Sequence, residues 1–253
     1  MIVIKTAAEI ERIRQAGILA AEALREVVRA VHPGVTGLEL DRIGEEYIRA
    51  RGGTASFKGY RGFPASICLS FNDEVVHGIP GRRKLKPGDL VSIDVGAEVD
   101  GFHGDLAVTL PVGEVPPQLE RLLAVARESL YRAIDAVRVG NRLGDVAVAV
   151  QRHAEAAGFS VVRDFAGHGI GRHLHEEPQV PNFGEPGTGP ALRAGMTLAI
   201  EPMVNLGTYE VTMDDDGWTV RTKDRKPSAH FEHTVAVTEN RALVLTAIPD
   251  GVV

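Results

Sequence analysis

The segment LVSIDVGAEVDGFHGDLAVTL, residues 90–110, constrains the fold more than any other stretch of the chain. Two runs rich in Val, Ile and Phe flank Asp100-Gly101, and that dipeptide between β-forming runs is the signature of a two-residue hairpin turn. The turn sets a register that pairs Val99 with Phe102, Gly96 with Asp105 and Asp94 with Ala107. Side chains alternate across a strand, so residues 94, 96 and 98 share one face with 107, 105 and 103. Asp94 and Asp105 are then diagonal neighbours about 7–8 Å apart at the backbone. Only the small Ala107 stands opposite Asp94, and His103 lies on the same face. Burying an unpaired carboxylate between Ile93 and Val95 costs several kcal/mol, and two like charges cost more. The pair therefore either faces water, the usual state of strand aspartates, or closes on a cation.

Helical patterns surround this hairpin. From Thr6 onward, Ile10, Ile13, Gly17, Leu24, Val27 and Val31 fall near a 3.6-residue period, and Thr6 with Glu9 forms a capping box. Thr36 and Glu39 open a second helix that runs out at Gly52-Gly53. Strand-like residues follow at 66–71. The stretch Pro111 to Pro117 then breaks the chain, and the order starts again. Leu119, Leu122, Leu123, Ala126, Leu130, Ile134 and Val137 mark a long amphipathic helix, a shorter one follows near 142–157, and further strands come after it. At an offset of 106 residues Ala30, Val31, Gly34 and Gly52 match Ala136, Val137, Gly140 and Gly158. These identities fit an internal duplication, and equally two similar helix–turn–helix junctions that each need glycine at the turn. Helix–helix–strands twice over predicts an α+β fold with helices covering a mostly antiparallel sheet. The division is one catalytic domain, 1–253, with halves of roughly 1–112 and 117–253. The stretch Pro178 to Pro190 is expected to be a surface loop or flap.

Composition removes several classes of function. A net charge of -6 leaves no Lys/Arg surplus for a general polyanion binder, so no specific nucleic-acid partner is expected. A single cysteine, Cys68, excludes an internal disulfide and fits a reducing compartment. No run approaches the roughly 18 apolar residues of a membrane span, and the opening MIVIKTAAEIERIR lacks the pattern of a leader. A cytoplasmic protein, without membrane contact and monomeric, is the expectation.

Two later carboxylates repeat the anomaly of the hairpin. Glu201 ends the apolar run Met196–Ile200, and Glu232 interrupts a strand-like run from Phe231 to Val237. Each alone is more often an edge charge or an internal ion pair. Gly167-His168-Gly169-Ile170-Gly171 adds an imidazole on backbone that must approach something closely. Together these oxygen donors and one imidazole suit Mn, Fe, Co or Zn, while the lack of thiolates argues against a structural zinc site. Four carboxylates balance two divalent cations. Such a pair, roughly 3.5–4 Å apart, generates hydroxide at neutral pH and polarises a carbonyl or phosphoryl oxygen.

The order Asp94, Asp105, Gly167-His168-Gly-Ile-Gly, Ile200-Glu201-Pro202 and Glu232-His233-Thr resembles the metal signature of the type I methionine aminopeptidases. Val76-His77-Gly-Ile-Pro80, His175-Glu-Glu-Pro178 and Trp218-Thr-Val-Arg-Thr-Lys-Asp224 extend the resemblance over nearly the whole chain. It implies the duplicated pita-bread fold and a metalloaminopeptidase that removes initiator methionine before small second residues. The resemblance implies that Asp94 holds one metal ion, that Asp105 and Glu232 bridge a pair, and that His168 and Glu201 complete the second. Glu201 would also shuttle a proton. His77 and His175 would flank the peptide and stabilise the oxyanion. Tyr60, Phe63, Cys68 and Trp218 would line the methionine pocket, where aromatic and sulfur contacts suit a thioether.

Phe57 departs from a common bacterial cysteine, Leu174 from a common aromatic residue, and Phe63 lacks a frequent hydroxyl. These changes alter the pocket wall and leave the ligands intact. His173, His230 and His233 are read as structural or solvent-facing, and Cys68 as a pocket or core residue with no adjacent base. The spacings of 33 residues from His168 to Glu201 and 31 from Glu201 to Glu232 leave no room for the long type II insertion. Nascent-chain termini are the implied partners. A transient ribosome contact follows from that substrate, although the acidic charge gives it no support. The rival readings are a proline-directed peptidase of the same fold and a metal-free binding protein.

Overall fold

A computed structural model describes residues 1–247; residues 248–253, the end of the expected second half, lie outside the described residues. Helix α1 (Ala7–Arg29) and helix α2 (Gly37–Ala50) begin at the two expected capping boxes, Thr6 with Glu9 and Thr36 with Glu39. Pro117 opens α3 (Pro117–Ala136), where its missing N–H is no loss, and α4 (Leu143–Ala156) follows. The 106-residue register is visible in the backbone. Gly34 and Gly140 have φ of 97° and 98°, and Gly52 and Gly158 have 78° and 85°. All four sit in the left-handed region that a β-carbon disfavours, so the matched glycines turn the chain at matching points of two like helix pairs.

The first half carries β1 (Thr54–Ala55), β2 (Cys68–Phe71), β3 (Glu74–Val76), β4 (Leu90–Val99) and β5 (Phe102–Pro111). The second carries β6 (Ser160–Val161), β7 (Ala166–Gly169), β8 (Glu176–Pro181), β9 (Thr197–Ile200), β10 (Met203–Asn205), β11 (Val211–Met213), β12 (Val220–Thr222), β13 (Ser228–His230), β14 (Glu232–Val237) and β15 (Ala242–Val244). One nine-stranded antiparallel sheet follows the path β1-β4-β5-β14-β9-β7-β8, with β2 beside β4 and β15 beside β14. The halves join where β14 pairs with β5. The β4–β5 hairpin keeps the register set by its turn from Leu90 opposite Pro111 to Val99 opposite Phe102. Asp100 and Gly101 both have positive φ, 51° and 76°, as a type I′ turn requires.

Helix α1 lies across β4 and β5 and buries Ile13, Leu24 and Val27 completely, each contributing roughly 1.5–3 kcal/mol. Its approach needs glycine at the contact, because a β-carbon on Gly104 would stand 2.3 Å from the Gly17 nitrogen. The expected flap at 178–190 divides in two. Pro178 and Pro181 belong to β8, a strand at the end of the sheet, where an edge position tolerates proline. Residues 182–190 form the loop. Among the described residues no helix is long and apolar enough to cross a membrane.

Candidate metal centre and pocket

Strand register assembles the acidic residues on one face of the sheet. Cys68 on β2 faces Asp94 on β4, Asp94 faces Ala107 on β5, and Ala107 faces Glu232 on β14. Glu201 follows Ile200, the end of β9, whose partner on β14 is His233, so Glu201 comes beside Glu232. The next row holds Gly96 opposite Asp105, then Thr234, Ala199 and His168. Thr234 clamps the middle of that row: its Oγ1 accepts from the Asp105 N–H at 3.0 Å and donates to the Asp105 carbonyl at 2.8 Å. The small Ala107 keeps the space between Asp94 and Glu232 open. Gly167 lets β7 approach β9, since a β-carbon there would lie 2.3 Å from the Ala199 carbonyl oxygen.

The cluster is acidic, buried and short of partners. Asp105 and Glu232 are 3% and 2% exposed. Burial, with the charge of Glu201 adding to it, pushes the Asp105 carboxyl up to about 7. Burial likewise lifts Glu201 to about 7, against the opposing pull of His168. Asp94 and Glu232 rise well above the carboxylate range through burial and then their acidic neighbours. Without a cation the cluster keeps part of its protons, because like charges this close in a desolvated site cannot all ionise. The donor atoms point to one occupant. Oδ1 of Asp94, Oδ1 of Asp105, Oε1 of Glu232 and Nε2 of His230 are buried without hydrogen-bond partners, a cost that native interiors normally avoid.

Ligand atoms of Asp105, His168 and Glu232 lie within 4.8 Å of one another, and so do those of Glu201, His230 and Glu232. Glu232 is common to both groups, and Asp94 stands outside them. The His168 Nδ1–H donates to the Gly169 carbonyl at 2.9 Å, which leaves Nε2 as the free lone pair. That Nε2 lies 3.7 Å from Glu201 and 4.0 Å from Asp105. The donor set therefore fits divalent cations.

A cavity of about 130 Å³ opens over this floor, and the residues expected as metal ligands, flanking histidines and pocket wall all line it. Phe57, Phe63, Cys68 and Leu174 form a buried apolar cluster with Tyr60 and Trp218 packed against it. The departures at Phe57, Phe63 and Leu174 are thus all in this wall. Burial and the nearby Asp94, Asp105 and Glu232 raise the Cys68 thiol well above its ordinary value, so it stays protonated and unreactive. Trp218 meets the ring of Phe63 edge-on at 5.1 Å, and the Asp216 carboxylate holds its backbone N–H at 2.8 Å.

Two imidazoles stand above the floor. His77 follows β3 at φ 60°, a left-handed conformation rare for a residue with a side chain. Burial, with His230 and His168 beside it, lowers its pKa to about 4. His175 is exposed at the rim, stacked on Tyr60 and with its ring centroid 4.1 Å from that of His168. The Tyr60 hydroxyl lies 3.0 Å from its Nδ1. Desolvation on these faces and neighbouring His168, His77 and Arg61 hold its pKa below the ordinary histidine value.

A model of metallopeptidase family M24 matches residues 11–239. The chain belongs to metallopeptidase family M24. Within M24 it is similar over essentially its whole length to methionine aminopeptidases. A methionine aminopeptidase of Clostridium perfringens is 53% identical over 248 residues, 98% of this chain and 100% of that protein. The crystal structure of methionine aminopeptidase from Thermotoga maritima superposes with a TM-score of 0.96 at 49% identity, covering 98% of this chain and 100% of that one. The prolidase from Pyrococcus furiosus shares the fold alone, with a TM-score of 0.79 at 23% identity over 97% of this chain and 66% of that one. The M24 fold is the duplicated pita-bread architecture expected from the sequence.

The structure brings one further histidine against the floor. His230, taken as structural or solvent-facing, is 1% exposed with Nε2 3.5 Å from Glu201 and 3.8 Å from Glu232. Thr109 holds its backbone, accepting the His230 N–H and donating to its carbonyl, both at 2.8 Å. The available signal was its place two residues before Glu232, on the same side of an extended chain. Arg61 also lines the cavity and carried no signal. His233 is structural, its Nδ1 2.8 Å from the Thr246 hydroxyl, and His173 is exposed.

Proposed function

We propose that this M24 peptidase removes N-terminal methionine from polypeptides whose second residue is small, acting in the cytoplasm as one catalytic unit on nascent chains. The observation that carries the reading is the union of an orphaned carboxylate–imidazole floor with a small aromatic and sulfur-lined cavity directly above it. Similarity to methionine aminopeptidases along the whole chain supports it. Asp94, Asp105, His168, Glu201 and Glu232 would hold two divalent cations, Co, Mn, Fe or Zn. When bound, such a pair supplies a deprotonated water at neutral pH and Lewis acidity toward the scissile carbonyl.

The protein's own groups do the rest. Tyr60, Phe63, Cys68 and Trp218 enclose the unbranched methionine side chain, and the thioether makes favourable contacts with aromatic faces. His77 and His175 are neutral at pH 7, so each presents one N–H without adding a buried charge. Those donors stabilise the oxyanion that forms as water oxygen adds to the carbonyl carbon. Glu201, held at the floor beside the scissile carbonyl, takes the proton released by the attacking water. It delivers that proton to the amide nitrogen as the carbon–nitrogen bond breaks, so methionine leaves with the new carboxylate and the shortened peptide with a free amine.

The test is methionine release from Met-Ala-Ser by metal-stripped protein titrated with Co, Mn, Fe and Zn, with Met-Leu-Ser and Ala-Pro peptides in parallel. Metal-dependent release from Met-Ala-Ser, well above Met-Leu-Ser, is expected. Cleavage of Ala-Pro instead would move the chain to the proline-directed branch, and folded protein inert with every metal would refute catalysis.

A further inference from the structure

We propose that Lys5 is a positioning residue for His175, acting through Glu176, so that the segment before α1 supports the rim of the site. The inference rests on the methionine-releasing reading of the site. The Lys5 ammonium pairs with the Glu176 carboxylate across 171 residues of sequence, and the two side chains are only 4% and 9% exposed. A buried ion pair adds little net stability, because desolvating both charges offsets their attraction. Its effect is geometric.

What it fixes is the connection between β7 and β8, which carries His175. Glu176 is the first residue of β8 and pairs with Gly169, the neighbour of His168. Its Oε1 accepts the His173 N–H at 3.2 Å, so one carboxylate gathers both the ammonium and the backbone of the connection. The fit is tight. A β-carbon on Gly171 would lie 2.7 Å from Glu176 Oε1 and equally 2.7 Å from Lys5 Cε. Lys5 is itself anchored, its backbone N–H donating to the Gly195 carbonyl at 2.8 Å, and its ammonium reaches the Val3 carbonyl at 3.4 Å.

The His175 ring itself is held by its stack on Tyr60 and its contact with the His168 ring, while its backbone depends on this connection. It stands exposed at the rim, and its hydrogen-bond partner is the Tyr60 hydroxyl. A cleft of about 320 Å³ lies between residues 1–9 and this connection, walled by Lys5, Glu176 and His175. With the ammonium gone, the Glu176 carboxylate is left buried and unpaired, and this cleft offers it a route to water. The adjoining His175 moves with it, away from His168 and the developing oxyanion.

The experiment compares Mn-loaded wild type, Lys5→Met, Glu176→Gln and His175→Ala, together with both double variants that combine His175→Ala with a change in the pair. Lys5→Met and Glu176→Gln should each lower kcat on Met-Ala-Ser about ten-fold or more, with KM and Mn(II) affinity within about two-fold, as loss of an oriented oxyanion donor would. Neither should lower kcat further in the His175→Ala background. Unchanged kcat, or equal losses in both backgrounds, overturns the proposal. Glu176→Gln is nearly isosteric and keeps the cycle measurable if Lys5→Met does not fold. A readout free of turnover is the imidazole ¹H–¹⁵N spectrum of metal-free protein, where the His175 signal is the one missing in His175→Ala. That signal should shift in Glu176→Gln while the His233 signal stays in place, and an unmoved His175 signal refutes the coupling. If wild type releases no methionine, the functional reading falls and this spectrum still decides whether Lys5 and Glu176 position His175.

Discussion

The floor and the rim of the cavity are built by different means. Floor carboxylates sit within or at the ends of central strands, in two adjacent rows that backbone hydrogen bonds define residue by residue. Rim residues sit on connections: Tyr60 in a short 3-10 turn, His77 at positive φ after β3, His175 between β7 and β8, Trp218 in the β11–β12 hairpin. The floor concentrates like charge where the sheet cannot relax, and the rim places neutral donors and aromatic faces where single contacts hold them. The contrast assigns each region its sensitivity. Floor changes should act on metal binding and on stability in opposite senses, whereas rim changes should act on turnover and selectivity with the metal retained.

The largest expected effect tests the floor. Glu201→Ala and Asp105→Ala should lower kcat by about 10³-fold or more, through loss of the proton shuttle and of ligands, in protein with an unaltered circular dichroism spectrum. Near-normal kcat in either would break the assignment. In the metal-stripped state Asp94→Asn should raise the melting temperature, because it removes one of several crowded acidic groups. A lower melting temperature would mean that the floor is not frustrated without metal.

The pH dependence sharpens the same point. Asp105 and Glu201 have folded pKa values of about 7 against ordinary values of 3.8 and 4.5. Their raised values favour folding at low pH, and this contribution is lost as pH rises through 7. His77, His230 and His233 fall from 6.5 to about 4. Their contribution is present above 6.5 and lost as pH falls toward 4. His175 falls likewise, so the two sets oppose each other up to about pH 7. It is Asp94 and Glu232, raised further still, that leave a net loss of stability as pH rises. Calorimetry of stripped protein should show stability falling from pH 6.5 to 7.5, a slope that saturating Mn(II) removes with release of protons. A flat profile in stripped protein would show that the carboxylates are already ionised.

Rim effects should be smaller. Trp218→Ala should cost about 10–200-fold in kcat/KM, the range for a lost apolar pocket contact, with Mn(II) affinity unchanged by titration calorimetry. A matching loss of metal would erase the distinction between the regions. The smallest effect concerns the chain's own terminus. Ile2 is bulky, so Met1 should be retained although it is fully exposed, and an intact mass short by one methionine would contradict the small-second-residue preference.

Much of the floor was legible because it depends on short-range rules. A two-residue turn at Asp100-Gly101 is enough to face Asp94 toward Ala107 and set Asp105 one step along, and the structure keeps that register. The helix starts at Thr6 and Thr36 were legible for the same reason, since a capping box closes within four residues. His230 was not. Its place two residues before Glu232 was the one local signal, and the contact that pins its backbone, from Thr109 121 residues away, has no local pattern. The stretch 178–190 misled in part, because prolines read as loop residues until β8 is known to lie at a sheet edge.

Residue chemistry and local backbone preference were thus written into the chain: which side chains can bind a cation, which turn joins β4 to β5, and where two like helix pairs begin and end. Packing decided which distant segments meet. The pairing of β5 with β14 brings Glu232 beside Ala107, and the pairing of Lys5 with Glu176 ties the start of the chain to the rim. Turns and caps close over a few residues, where chain entropy barely enters. Long-range pairings must overcome the entropy of closing large loops, and only the simultaneous burial of a whole core supplies that free energy.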